Sequence, residues 1–189
     1  MALTPSNMLP LGTIAPYFEL VDTVSNKKTN LHELKSPVAT VIMFICNHCP
    51  YVKYIQTEIV KLAKEYQAKN ISFIAISSND ITRYPDDAPE KMQQNAQQLG
   101  FTFPYLFDET QTVAKAYQAA CTPDFYIFDK DLKCVYRGQF DDARPGNNIP
   151  VTGNSIRTAL ENLLAGKPIN PEQKPSMGCN IKWREAEQG

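Results

Sequence analysis

Residues 38–45 read Val-Ala-Thr-Val-Ile-Met-Phe-Ile, with Thr40 as the sole polar position. A run that is apolar on both parities suits a strand covered on both faces, as in a parallel sheet. Beyond residue 50, Val52, Ile55, Ile59, Leu62 and Tyr66 recur at spacings of three and four, with Lys53, Gln56, Lys61, Lys64 and Glu65 between them. This spacing predicts an amphipathic helix reaching about residue 69. Ile71-Ser-Phe-Ile-Ala-Ile76 reads as a second buried strand. Residues 38–76 thus form a βαβ unit whose crossover is expected to be right-handed.

The flanking segments are weaker in pattern. Residues 1–16 hold three prolines and no periodicity, and read as an irregular lead-in. Residues 18–21 and 27–29 flank a polar stretch and predict a short hairpin. A helical turn at 31–34 is stopped by Pro37. Residues 77–87 are a polar loop, and Asp87 with Glu90 three residues on resembles a capping box for a helix with Met92, Ala96 and Leu99 on its apolar face, ended by Gly100. Residues 101–107 are aromatic-rich and partly extended, and Asp108 is placed to cap a helix through about residue 120. Residues 124–128 and 132–140 predict an antiparallel hairpin. A long loop at 141–153 precedes a closing helix marked by Ile156, Leu160, Leu163 and Leu164. From residue 167 a Pro-punctuated tail carries Cys179 and the sole tryptophan, Trp183. The element order predicts a single α/β layered domain over 1–189, with its core at about 12–166 and a C-terminal tail at 167–189.

Composition narrows the function classes. At 189 residues and 43% hydrophobic content the chain can build its own core. A net charge of −1 leaves no basic field for a nucleic acid backbone. The first ten residues lack the basic and apolar regions of a secretory signal, and no apolar run is long enough for a bilayer span. The expected location is cytoplasmic, with neither nucleic acid nor membrane as partner. Cysteines stand at 46, 49, 121, 134 and 179. An odd count with one close pair is unlike a secreted disulfide framework, and in a reducing compartment such a pair is catalytic or metal-binding.

That pair lies in Cys46-Asn-His-Cys-Pro50, directly after the apolar strand and before the amphipathic helix. Two thiols at a helix start can form a reversible disulfide, because the unsatisfied amides of the first turn stabilise a thiolate. Cys46 is expected to be the exposed attacking thiolate and Cys49 the resolving thiol. His48 between them would stabilise the reduced form and raise the potential above the about −270 mV of a thioredoxin, towards the about −120 mV of a strong oxidant. Pro50 fits the first helical turn, where its missing N–H has no partner to lose. A structural zinc site wants four ligands, whereas the remaining cysteines are isolated and the imidazoles are only His32 and His48. No metal is expected.

A second element is Cys121-Thr-Pro123, at the start of the 124–128 strand. Proline there is unusual unless its peptide bond is cis. Together with the C-x-x-C junction it resembles the thioredoxin superfamily. In that family a Thr-Pro dipeptide with cis proline faces the redox pair and leaves backbone groups free for a substrate strand. Phe44-Ile-Cys-Asn-His-Cys-Pro-Tyr-Val52, Tyr136-Arg-Gly-Gln-Phe-Asp-Asp142 and Gly178-Cys-Asn-Ile-Lys-Trp183 narrow the resemblance to the peroxiredoxin-like branch, labelled redoxin or AhpC/TSA-like. The resemblance spans about residues 12–184. It implies a thioredoxin-like fold with a mixed central sheet flanked by helices, an N-terminal hairpin, an inserted helical segment and a C-terminal tail. It also implies that Asn47, Thr122 and Pro123 contact substrate.

The chain departs from better-known relatives. Neither cysteine stands in the P-x-x-x-T-x-x-C site of true peroxiredoxins, and Thr40 replaces the buried Asp that thioredoxin places six residues before its first cysteine. Proton transfer is therefore assigned to His48 or water. Cys121 and Cys179 are candidates for a third redox thiol. The functional expectation is a thiol-disulfide oxidoreductase using the Cys46/Cys49 couple, with no cofactor. Its partners would be a disulfide-containing protein or small-thiol substrate and a thiol electron donor. The alternatives are a thiol peroxidase acting on hydroperoxides and a metal-binding module built from Cys46, Cys49 and His48.

Overall fold

The computed structural model describes residues 2–185. In chain order the first half carries β1 (Leu3–Pro5), β2 (Glu19–Asp22), β3 (Lys27–Asn30), α1 (Leu31–Leu34), β4 (Ala39–Phe44), α2 (Pro50–Gln67) and β5 (Ile71–Ser77). The second half carries α3 (Pro89–Leu99), β6 (Tyr105–Phe107), α4 (Thr112–Ala116), β7 (Cys121–Thr122), β8 (Asp124–Asp129), β9 (Cys134–Gly138), α5 (Asn154–Leu164) and β10 (Met177–Asn180). Among the described residues, seven strands form one mixed sheet in the order β3-β2-β6-β5-β4-β8-β9, and β1, β10 and β7 form a separate three-stranded sheet.

β4 sits deep in the larger sheet, parallel to β5 and antiparallel to β8, and each of its residues is buried. Its two parities feed two cores. Ala39, Val41 and Met43 join the apolar face of α2 and α5 on one side, while Ile42 and Phe44 pack with Leu9, Phe18, Tyr117 and Tyr126 on the other. A polar residue at either parity would face a core, which is why the run is apolar throughout. Thr40, the exception, accepts hydrogen bonds from the Ser36 amide at 3.1 Å and the Ser72 hydroxyl at 3.1 Å. The predicted βαβ unit, the hairpins β2–β3 and β8–β9, and the left-handed stop of α3 at Gly100 are all present.

Four local expectations need correction. The 1–16 lead-in contains β1, and the tail contains β10. The two pair with each other, and strands of three and four residues are too short to show a period. The helix expected through residue 120 stops at Ala116, although Asp108 does accept from the amides of Val113 at 3.3 Å and Ala114 at 2.9 Å. Asp87 does not cap α3: the N-cap is Ala88, with no side-chain bond, and the Asp87 carboxylate is drawn elsewhere.

Ser6 and Ser176 are both stitched to the start of β8 and the proline before it. The Ser6 hydroxyl donates to Asp124 Oδ1 at 2.8 Å, the Ser176 amide donates to Ser6 Oγ at 2.8 Å, and the Ser176 hydroxyl donates to the Pro123 carbonyl. Burial pushes the Asp124 carboxyl up to about 7, against the hydrogen bonds from Ser6 and Tyr126. A carboxyl raised in the folded state supplies stability that is whole below its unfolded value near 4 and is lost as pH rises through about 7. We expect Asp124→Asn to remove this dependence, with a relative gain on the order of 2 kcal/mol at pH 8 over pH 4. Denaturant unfolding of both proteins across that range checks it; parallel stability curves would refute it.

Candidate functional site

The loop of residues 45–49 leaves the centre of the sheet at the end of β4 and enters α2 through Pro50, so both cysteines emerge where a core strand meets a helix N-terminus. Cys46, expected to be the exposed thiol, is only 1% exposed, and Cys49 is fully buried, because the 45–49 loop lies under Thr122 and the segment that carries Asp87. The Cys46 sulfur lies 3.5 Å from Thr122 Oγ1, and the Cys49 sulfur lies 3.4 Å from the Thr122 carbonyl oxygen. The Thr122–Pro123 bond is cis. Thr122 thus touches both sulfurs from the neighbouring β7.

The two thiols act as one titrating unit. A hydrogen bond from Cys46 does most to lower the Cys49 thiol; burial opposes it, and the Cys179 thiol and the amides of Val52 and Cys179 lower it further. Cys46 is pushed up by donating that bond, by burial and by the negative charge of Asp87. A single ionisation therefore belongs to the pair as a unit, with the Cys49 thiol lowered and the Cys46 thiol raised, and the Cys49 thiol, when protonated, donates to the Thr122 carbonyl. The sequence places the free amides of the first turn at Cys46. The helix instead begins one residue after Cys49, and it is Cys49 that Val52 reaches.

Beside the pair stands a carboxylate that periodicity does not reveal. Asp87, fully buried, closes a short 3-10 turn at Pro85–Asp87. Its Oδ1 accepts from the amides of Asn47 at 2.7 Å and His48 at 3.3 Å, and its Oδ2 accepts from His48 Nδ1 at 2.5 Å and Asn79 Nδ2 at 2.8 Å. Burial opposes its ionisation, but the bonds from His48, Asn79 and Asn47 outweigh it and hold the carboxyl below the usual carboxylate range. The His48 ring stacks on Tyr84 at 5.5 Å, and its Nε2 is buried without a hydrogen-bond partner among the described residues. With Nδ1 donating to Asp87, the ring is fixed in orientation and Nε2 is the nitrogen left without a protein partner among the described residues. Asn47 is committed inward as well: its Oδ1 accepts from the Tyr105 hydroxyl at 2.9 Å and its Nδ2 donates to the Asp86 carbonyl at 3.0 Å.

Four donors converge on Asp87, so an amide in its place would turn an NH2 group toward donors. We expect Asp87→Asn to cost about 2 kcal/mol of stability and to reduce turnover roughly 10- to 100-fold as the 46–49 loop and His48 lose their orientation. The stability contributed by the carboxylate is whole above its unfolded value near 4 and lost as pH falls below it, so the deficit of the variant shrinks in acid. Unfolding curves and a pH–rate profile of the two proteins test this; equal stability at pH 7 would refute it.

The remaining candidates divide. Cys121 is buried, its thiol donates to the Pro123 carbonyl at 3.7 Å, and burial raises its pKa strongly. Cys179, on β10, is brought against Cys49, and burial with that contact pushes its thiol up to about 12. A sulfur of Cys46, a ring nitrogen of His48 and a carboxylate oxygen of Asp87 lie within 4.8 Å of one another, close enough to consider a metal. Each Asp87 oxygen, however, already accepts two hydrogen bonds, which suits an orienting carboxylate better than a ligand. No helix of the described residues is long and apolar enough to cross a membrane.

A model of the AhpC/TSA family matches residues 11–137. An uncharacterized conserved protein from Geobacillus kaustophilus is 60% identical over 98% of both chains, with a TM-score of 0.97. A hypothetical protein from Sinorhizobium meliloti is 44% identical, over 97% of this chain and 100% of its own, with a TM-score of 0.94. The peroxidoxin BcpB of Mycobacterium tuberculosis is 21% identical over 82% of this chain and 96% of its own, at a TM-score of 0.62, a likeness of fold. No curated protein matches the chain in sequence. The fold is thioredoxin-like, as the motifs imply.

Proposed function

We propose, from the premise that this chain belongs to the AhpC/TSA family, that it is a thiol-disulfide oxidoreductase working through a Cys46/Cys49 couple. Family membership supports a thiol-based redox function. What supports the finer reading is a single arrangement: two buried thiols at the end of β4 both touch Thr122 beside a cis proline. In the reduced protein the Cys49 thiol is lowered and that of Cys46 raised. As Cys46 attacks a substrate disulfide it passes its proton along the Cys46–Cys49 hydrogen bond, so the nucleophile is generated at the moment it is used. Cys49, freed of that proton by His48 or water, then attacks Cys46 in the mixed disulfide and expels the product thiolate. Asp87 holds His48 and the two loop amides in place for this exchange.

Titration against a glutathione redox series, with alkylation and mass mapping, tests the reading. We expect one two-electron transition joining Cys46 to Cys49, at a potential between about −270 and about −120 mV. If no intramolecular bond joins these residues anywhere in the series, the function is wrong.

The second reading, a thiol peroxidase, is favoured by the near-complete burial of both sulfurs, which admits a hydroperoxide more readily than a folded protein. Peroxide would convert a thiolate to a sulfenic acid, to be resolved by the neighbouring cysteine with loss of water. Peroxide consumption coupled to a dithiol reductant separates the two readings.

A further inference from the structure

We infer that Cys179 is a third exchange thiol: its sulfur attacks Cys49 in the Cys46–Cys49 disulfide, carrying the bond onto the C-terminal strand and releasing Cys46. The inference rests on the dithiol–disulfide couple proposed above. Its geometric basis is the docking of β10 against β7, with Cys179 opposite Thr122 and Asn180 opposite Cys121. Thr122 is the residue that contacts both sulfurs of the pair. On its other edge β10 pairs with β1, Cys179 opposite Leu3, so the strand is held from both sides. Gly178 brings the backbone so near that a Cβ there would lie 2.0 Å from the Thr122 oxygen. Cys179 is thereby brought to Cys49, a proximity that also lowers the Cys49 thiol and raises that of Cys179. Cys49 therefore adjoins both Cys46 and Cys179.

The exchange balances without an external oxidant or reductant. Cys179 gives up its thiol proton and its sulfur attacks the Cys49 sulfur. The Cys49–Cys179 bond forms as the Cys46–Cys49 bond breaks, and Cys46 leaves with the electron pair and takes up a proton. Oxidation of the pair favours the attack. In the reduced state burial does most to hold the Cys179 proton, and a hydrogen bond to Cys49 and its negative charge add to it; once Cys49 is in a disulfide the last two are gone and burial alone opposes ionisation, while Lys182 continues to favour the thiolate. The result is an oxidised protein in which Cys46 is again a thiol, with the disulfide held against β10.

Two measurements decide this. Cys46→Ser protein treated with diamide, which accepts the two electrons and two protons, is expected to show a Cys49–Cys179 cross-linked peptide within one chain. Diamide-oxidised wild-type protein, rapidly alkylated, is expected to show a population labelled at Cys46, and Cys179→Ser is expected to lose that label. Free Cys49 and Cys179 thiols or only intermolecular dimers in Cys46→Ser, or a Cys46 label unchanged in Cys179→Ser, would overturn the relay. If Cys46→Ser does not fold, the wild-type and Cys179→Ser comparison decides alone. The parent reading fails separately, by the absence of any Cys46–Cys49 bond in oxidised Cys179→Ser protein, where the relay cannot consume it.

Discussion

Replacing either Cys46 or Cys49 with serine is expected to reduce turnover of a small disulfide by roughly 10³-fold or more, and the double variant is expected to be no worse than either single one. The non-additivity follows from the chemistry: the exchange needs both sulfurs, and losing one removes the function of both. Serine is close in size to cysteine, so a buried site loses little packing, but its hydroxyl is neither acidic nor nucleophilic enough to enter a disulfide. The variants differ in what they accumulate. Cys49→Ser keeps the attacking sulfur without its resolver and should trap a mixed disulfide at Cys46. Cys46→Ser lacks the attacking sulfur and should trap none there. Mass spectrometry after incubation with the substrate disulfide reads the difference. Trapping at Cys49 in Cys46→Ser, with none at Cys46 in Cys49→Ser, would reverse the assigned roles.

The second large effect is expected at Gly178→Ala. A methyl at this position would stand 2.0 Å from the Thr122 carbonyl oxygen, 2.7 Å from its carbon and 3.2 Å from Pro123 Cδ. None of these atoms belongs to a side chain that can swing away. The clash is relieved only by moving β10 off β7, which breaks the Cys179–Thr122 pairing and loosens Ser176 from Ser6 and Pro123. We expect a loss on the order of 4 kcal/mol in unfolding free energy, at the upper end for a single substitution. Because β10 lies against the buried sulfurs, the same change should accelerate alkylation of Cys46 and Cys49 in the folded protein. Denaturant unfolding and timed alkylation check both effects. Wild-type stability with wild-type labelling rates would show that β10 does not cover the site.

The junction that carries the chemistry was legible in one dimension. The apolar run 38–45, the helical spacing from Val52 to Tyr66 and the two cysteines between them are local patterns, each produced by the immediate environment of one element. Pro123 is likewise marked by its position at a strand start, where a proline requires a reason. Asp87 illustrates the limit. Its spacing from Glu90 is that of a capping box, but a carboxylate takes whichever donors it meets, and here they are Asn79 and two residues of the 46–49 loop, His48 lying 39 positions away.

From its sequence alone the chain determined a core strand, an amphipathic helix and a thiol pair at their junction, because burial and helical period act between near neighbours. Only the tertiary structure decided that the helix starts after Cys49, whose thiol it lowers while that of Cys46 is raised; that Asp87 braces His48; and that β10 returns to set Cys179 against the pair. Those outcomes depend on which donors, charges and strand edges meet across long separations. Polar and sulfur-bearing side chains carry little periodic signal of their own, and their roles are fixed by what the folded chain places opposite them.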